Sequence, residues 1–170
     1  VELVHCDVAD EAQVKHAVET AVDAHGKIDV LVNNAGVIDM WPAVDLELAV
    51  WNRVLDVCLT GTFLCSKHAI PFMEKQHSGH IVNLHGGGGK TPPGAMAYVI
   101  TKEAGVWFSR YLAEEVREHN ICVMSISPGA AIATERAPEE ARGRMPGPEY
   151  AGDRFMLAAE APMELSGHLV

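Results

Sequence analysis

Tyr98 and Lys102 stand four residues apart in the stretch "YVITK". On a helix that spacing puts both side chains on one face, within reach of one ligand. An ammonium beside a phenol favours the phenolate and lowers the Tyr pKa from about 10 towards neutrality. A Tyr tuned in this way can give or take a proton at a reacting oxygen, the task of a general acid–base. An isolated pair of this kind is more often a surface Tyr beside a solvated Lys. Here a buried apolar strand and a Gly- and Pro-rich loop lead directly into it, which favours the chemical reading.

The elements around the pair alternate. "VELVHCD" reads as a short strand ending at Asp7, and Asp10 with Gln13 three residues on starts a helix in the manner of a capping box. Val14, Ala17, Val18, Ala21 and Val22 recur at helical spacing, and Gly26 stands where a C-terminal glycine would stop that helix. "KIDVLVNNAG" is a continuous β-branched run, as expected of a parallel strand buried on both faces, ending in a loop at 33–36. A helical pattern runs from about Asp45 to Lys75, followed by the strand "HIVNL" and a second helix from about Met96 to Glu118. "ICVMSISPG" is a further strand, 130–162 follows no clear period, and "SGHLV" opens a last strand.

Strands alternating with helices predict an α/β fold with a doubly wound parallel sheet. No repeat or linker divides the chain, so residues 1–170 are expected to form one domain. Ligands of such sheets bind beyond the carboxyl ends of the strands. Asp7, the 33–36 loop, the segment from His85 to Gly89 and the pair Pro128 and Gly129 all fall at such ends.

Bulk composition narrows the partners. A formal charge of -10 argues against a nucleic-acid surface, which needs clustered Lys and Arg. The four cysteines lie far apart with no C-x-x-C pair, as suits a reducing cytoplasm. The nine histidines form no H-x-x-x-H or H-E-x-x-H pair, so no metal site is expected. No run of about 18 apolar residues offers itself as a membrane span. A small-molecule partner remains, with no nucleic acid and no membrane.

Four landmarks in order, "CDVAD", "LVNNAG", "YVITK" and "SPG", resemble the short-chain dehydrogenase/reductase family. "WNRVLDVCLTGTFLCSKHAIPFM" is similar to that family's long central helix, so the resemblance covers nearly the whole chain. It implies a Rossmann-like fold and hydride transfer between NAD or NADP and a carbonyl or alcohol substrate. It also implies a β-α-β unit with a T-G-x-x-x-G-x-G turn ahead of Val1 and a short segment beyond Val170, so the chain is expected to be incomplete at both ends.

By the same resemblance Tyr98 is the proton donor or acceptor, and Lys102 also binds the nicotinamide ribose. Asp7 and Val8 line the adenine, while Asn34, Ala35 and Gly36 lie along the ribose and nicotinamide. Pro128 and Gly129 pass beside the nicotinamide, with Ile132 next to it if Thr134 takes the family's Thr position in place of Ala133. The segment 134–150 closes over substrate. The central helix and the Tyr-bearing helix, apolar around much of their girth at Trp51, Val54, Leu55, Leu59, Phe63, Leu64, Val106, Trp107, Phe108, Tyr111 and Leu112, form a homodimer or homotetramer interface. A helix apolar all round is expected to be buried.

Two positions depart from the family pattern. His85 occupies the place of a Ser whose hydroxyl binds the substrate oxygen, with Thr91 the nearest hydroxyl residue towards Tyr98, and Cys58 occupies the place of an Asn that holds a water near the Lys. Cysteine is a weak hydrogen-bonding group. Imidazole can donate to a carbonyl and, with a reference pKa near 6.5, could carry charge there. Two readings stay open: a nicotinamide-dependent oxidoreductase with a modified site, or a non-catalytic or repurposed protein of the same fold. A His–Cys hydrolase built from His85 and Cys58 is a third idea, short of an orienting carboxylate.

Overall fold

The structure, a computed structural model, describes residues 2–85, 92–129, 132–135 and 139–170. The glycine run at 86–89 and Thr91 lie outside the described residues.

The first helix, α1 (Glu11–His25), begins and ends where local chemistry dictates. The Asp10 carboxylate accepts from the Ala12 and Gln13 amides, and the Gln13 side chain donates back to it at 2.9 Å. Gly26, left-handed at φ 77°, closes the last turn through its N–H to the Val22 carbonyl.

Three parallel strands follow, β1 (Val30–Asn33), β2 (Gly79–Leu84) and β3 (Ile121–Ile126), in the order β1-β2-β3. Asn33, Asn83 and Ser125 share one rung of the register. Beyond β3, residues 168–170 pair alongside it through a single parallel bridge between Ser125 and Leu169, so "SGHLV" does add an edge. Between β1 and β2 runs one long helix made of α2 (Leu48–Leu55), a π-helical turn (Asp56–Thr60) and α3 (Gly61–Gln76). Between β2 and β3 runs α4 (Met96–Glu115). The segment without clear period contains α5 (Glu139–Arg142) and α6 (Pro148–Ala159).

Alternation along the strands builds two cores. Ile81, Ile121 and Val123 face α3 and α4, meeting Met73, Leu112, Ala113 and Val116. Val82, Cys122, Met124 and Ile126 point the other way, onto Ala158 and Ala161 at the end of α6. Helices thus cover both faces of a parallel sheet, the doubly wound α/β arrangement expected from the sequence.

Four expectations change. Residues 2–7 form no strand and Leu3 is 95% exposed, because no neighbouring strand offers them a hydrogen-bonding edge. β1 is not buried on both faces: Val30 and Val32 remain 39% and 44% exposed because α6 packs over β2 and β3 but not over β1. The long helices are not buried all round, since Phe63, Trp107 and Tyr111 face solvent while the opposite sides pack. Finally, the helix Leu48–Gln76 is 29 residues long and contains a stretch of 18 with a mean hydropathy of 1.3, long and apolar enough by length and composition to cross a membrane. Its polar residues, among them Asn52, Arg53, Asp56 and the run Ser66, Lys67 and His68, interrupt every apolar run. In this fold its inner side, with Cys58, Thr62 and Ser66, is buried against the rest of the chain.

Candidate active site

The C-terminal ends of β1 and β2, the π-helical turn and the first two turns of α4 converge on Tyr98 and Lys102. As the spacing predicts, the two lie one helical turn apart, with the Lys102 ammonium 5.1 Å from the centre of the Tyr98 ring. Lys102 is buried, and its Nζ donates to the Leu84 carbonyl at 2.6 Å. That bond ties the helix to the end of β2 and fixes where the positive charge sits.

The charge balance differs from the expectation. Burial pushes the Tyr98 phenol up, with Cys58 adding to the shift, rather than Lys102 pulling it down. Burial also lowers the Lys102 ammonium, and Cys58 opposes this. Desolvation of the phenolate outweighs the attraction of an ammonium that lies over the ring and is already bonded to a carbonyl. Tyr98 is therefore a protonated phenol at neutral pH.

His85 follows directly on β2 and is 2% exposed. Its ring packs on the backbone of Gly105, where a Cβ would fall inside the imidazole. Neither ring nitrogen has a hydrogen-bond partner. Burial first, then the Lys102 charge, lowers its pKa to about 4. The idea of a charged His85 is thus reversed: nothing near it compensates an imidazolium, so the ring is neutral.

Cys58 sits in the π-helical turn, the kind of helix irregularity that often marks a functional site. Its buried Sγ accepts from the Val37 amide and donates to the Val37 carbonyl, both at 3.3 Å. The thiol ties the loop after β1 to the long helix, and it shares a small apolar cluster with Val54 and Ala97, against which Tyr98 packs. The structure brings Cys58, Tyr98 and Lys102 together but not Cys58 and His85, whose ring nitrogens remain unbonded. That removes the hydrogen-bonded His–Cys pair a hydrolase would use.

A cleft of about 1270 Å³ opens beside this centre. Asp7, Val8, Asn34, Ala35 and Gly36 line it. Tyr98, Lys102, Pro128, Gly129 and Ile132 do not; the wall beyond β3 is made by Ala133, Thr134 and Glu135. Asp7 also accepts from the Ala9 amide at 3.0 Å, so it caps a turn while facing the cleft. Pro128 and Gly129 follow β3 in a tight turn, with Gly129 at φ 70° and its N–H on the Ser127 hydroxyl.

Sequence reasoning missed the cleft wall given by Asn52, Arg53 and Asp56 on the long helix. It also missed a buried polar ladder. Asn33 donates to Asn83 at 2.8 Å and to Ser66 at 3.2 Å, and Asn83 donates to Ser109 at 2.8 Å. The signal was an asparagine near the end of each of two mostly apolar strands, VLVN and GHIVNL, at positions that pair in register. Among the described residues, no group of three or more His, Cys, Asp or Glu could hold a metal ion.

Known proteins share this architecture and sequence. The short chain dehydrogenase family profile matches residues 1–144. A 3-oxoacyl-(acyl-carrier-protein) reductase of Thermotoga maritima is 32% identical over 177 residues, covering 96% of this chain and 72% of its own. Secoisolariciresinol dehydrogenase of Forsythia intermedia is 33% identical over 190 residues, covering 97% and 67%. A crystal structure from Burkholderia xenovorans, assigned to the short-chain dehydrogenase/reductases, superposes with a TM-score of 0.82 at 28% identity, covering 97% of this chain and 70% of that one. The chain spans 51% to 72% of the length of such curated relatives. On the family match, the named dehydrogenases and the shared fold, the chain belongs to the short-chain dehydrogenase family.

Proposed function

We propose that this chain contributes the acid–base centre of an NAD- or NADP-dependent oxidoreductase acting on a small carbonyl or alcohol. The observation that carries the reading is the buried Lys102 ammonium, held by Leu84 beneath the ring of a protonated Tyr98. A nicotinamide dinucleotide fits what is present, since a cleft of the right kind opens at the strand ends and is lined by 7–8 and 34–36. When bound, that group supplies or takes up the hydride. Asp7 and Val8 would hold its adenine, Asn34, Ala35 and Gly36 would lie along its ribose and nicotinamide, and Lys102, Pro128, Gly129 and Ile132 would hold its nicotinamide side.

In the reducing direction Tyr98 gives its proton to the substrate carbonyl oxygen. The developing phenolate is then stabilised by the nearby ammonium of Lys102, an attraction strongest when solvent is excluded. In the oxidising direction the same phenolate takes the alcohol proton. His85, neutral, has two ring nitrogens without partners. A substrate oxygen would give one of them an acceptor for its N–H after a rotation of the ring, which supports His85 as the donor in the Ser place. Cys58 serves as the tie that sets the loop after β1 against Tyr98.

The same reading places residues 1–170 within one Rossmann-like domain, located in the cytoplasm. The exposed Phe63, Trp107 and Tyr111 on adjoining long helices support burial in a homodimer or homotetramer. The direct test is fluorescence titration with NADH and NADPH, followed by turnover of a ketone panel by wild type and Tyr98→Phe. Loss of the phenol is expected to lower kcat by a factor on the order of 10² to 10⁴, as for other general acids. Unchanged turnover in Tyr98→Phe would falsify the proton-transfer role.

A further inference from the structure

We infer that Arg154 is a substrate-anchoring residue that selects a carbonyl or alcohol bearing a carboxylate. The inference rests on the oxidoreductase reading and narrows its substrate to the keto acid and hydroxy acid class.

Arg154 lies on α6 and is half-buried. Its guanidinium stacks on the Tyr150 ring at 4.9 Å, and its Nη2 donates to the Tyr150 hydroxyl at 2.8 Å. Its Nη1 reaches back to the Ser127 carbonyl at 3.4 Å. These contacts bring the group over Gly129, within 3.7 Å of where a Cβ would stand. The planar charge is therefore fixed at the carboxyl end of β3, one strand over from the end of β2 where Leu84 holds Lys102.

What Arg154 lacks is a counter-ion. Lys15, Lys27, Lys67 and Arg117 each sit within 4.0 Å of a carboxylate, and Arg53, Lys75, Arg110 and Arg144, which among the described residues do not, are exposed to water, whereas Arg154 is half-buried. Among the described residues no carboxylate comes that close to Arg154, in a chain with 23 acidic residues. Its two acceptors are a carbonyl and a phenol, both neutral, and a guanidinium carries five N–H donors. A half-buried arginine whose charge is met by no acid, yet whose orientation is fixed, is prepared for an external anion. A carboxylate suits it best, because two parallel N–H···O bonds match the fork.

The test uses the full chain with NADH or NADPH and two matched pairs, acetoacetate and levulinate against their methyl esters. Wild type is expected to favour the acids by about tenfold or more in kcat/KM, the scale of a charge-assisted pair. Arg154→Met should bring the acid-to-ester ratio close to one, and Arg154→Lys should restore part of it. Esters preferred by wild type, or a ratio unmoved in Arg154→Met, would overturn the assignment while leaving hydride transfer intact. Absence of turnover on every pair counts against the oxidoreductase reading instead. Calorimetric titration of wild type and Arg154→Met with levulinate then decides: binding lost in the variant sustains the anion site, and no binding, or binding equal in both, overturns it.

Discussion

Two buried polar regions lie on the same face of the sheet, and they are treated in opposite ways. Towards β1 and β2, Asn33, Asn83, Ser66 and Ser109 bond to one another and to the Thr62 and Gly105 carbonyls, so their polar side chains find partners. Towards β3 and the end of β2, the Ser125 hydroxyl and both nitrogens of His85 are buried with none. A buried polar group without a partner is destabilised by its lost hydration, whereas a satisfied network holds its members in place. The first region ties the long helix and α4 to the sheet. The second leaves hydrogen-bonding capacity unused, with His85 close enough to Lys102 to feel its charge.

The sharpest way to break that comparison is to remove the centre of the satisfied region. Asn83→Ala strips Asn33 of an acceptor and Ser109 of a donor and leaves a cavity, and we expect a loss of about 3–5 kcal/mol. Urea unfolding measures it directly. A loss below about 1 kcal/mol would mean that the ladder is not what binds the helices to the sheet.

A second measurement addresses the unsatisfied region through pH. The pKa of His85 is lowered to about 4 in the fold from 6.5 in the unfolded chain, so the unfolded chain takes up the proton first as pH falls. The contribution is fully present above pH 6.5, drains away as the medium is acidified towards pH 4, and amounts to about 3 kcal/mol across that window. Carboxylates titrate over part of the same range, so the informative quantity is wild type minus His85→Asn. A difference profile that is flat from pH 7 to pH 4 would show that the ring is not held neutral by burial.

The sequence exposed the fold for physical reasons that also explain where it misled. Helical spacing of apolar residues located α1, the long helix and α4, and short continuous apolar runs located β2 and β3, because burial selects apolar side chains where an element packs. Period says nothing about what lies beyond an edge, so the exposure of Val30 and Val32 and the unpaired 2–7 segment were invisible. The Tyr98 and Lys102 pair was legible from spacing, but the direction of the phenol's shift was not, since it depends on how deeply the ring is buried. The π-helical turn at Cys58 adds one residue per turn and leaves no mark in composition. Whether His85 faces Tyr98 or Gly105 is a matter of one rotamer, which no spacing encodes.

That rotamer can be tested where it meets α4. Gly105 is inside a helix, a position where Ala is ordinarily better by about 0.5–1 kcal/mol. Here a Cβ would enter the His85 ring, so Gly105→Ala is expected to destabilise wild type by about 1–3 kcal/mol through overpacking. In a His85→Ala background the obstruction is gone, and the same substitution should become neutral or stabilising. The sign reversal is the informative result, because a double-mutant cycle with a coupling above about 1 kcal/mol requires the two side chains to compete for one space. If Gly105→Ala has the same effect in both backgrounds, the ring does not rest on the helix. His85 would then be turned towards the Tyr98 side before any substrate arrives, and the contrast between a satisfied and an unsatisfied region would shrink to Ser125 alone.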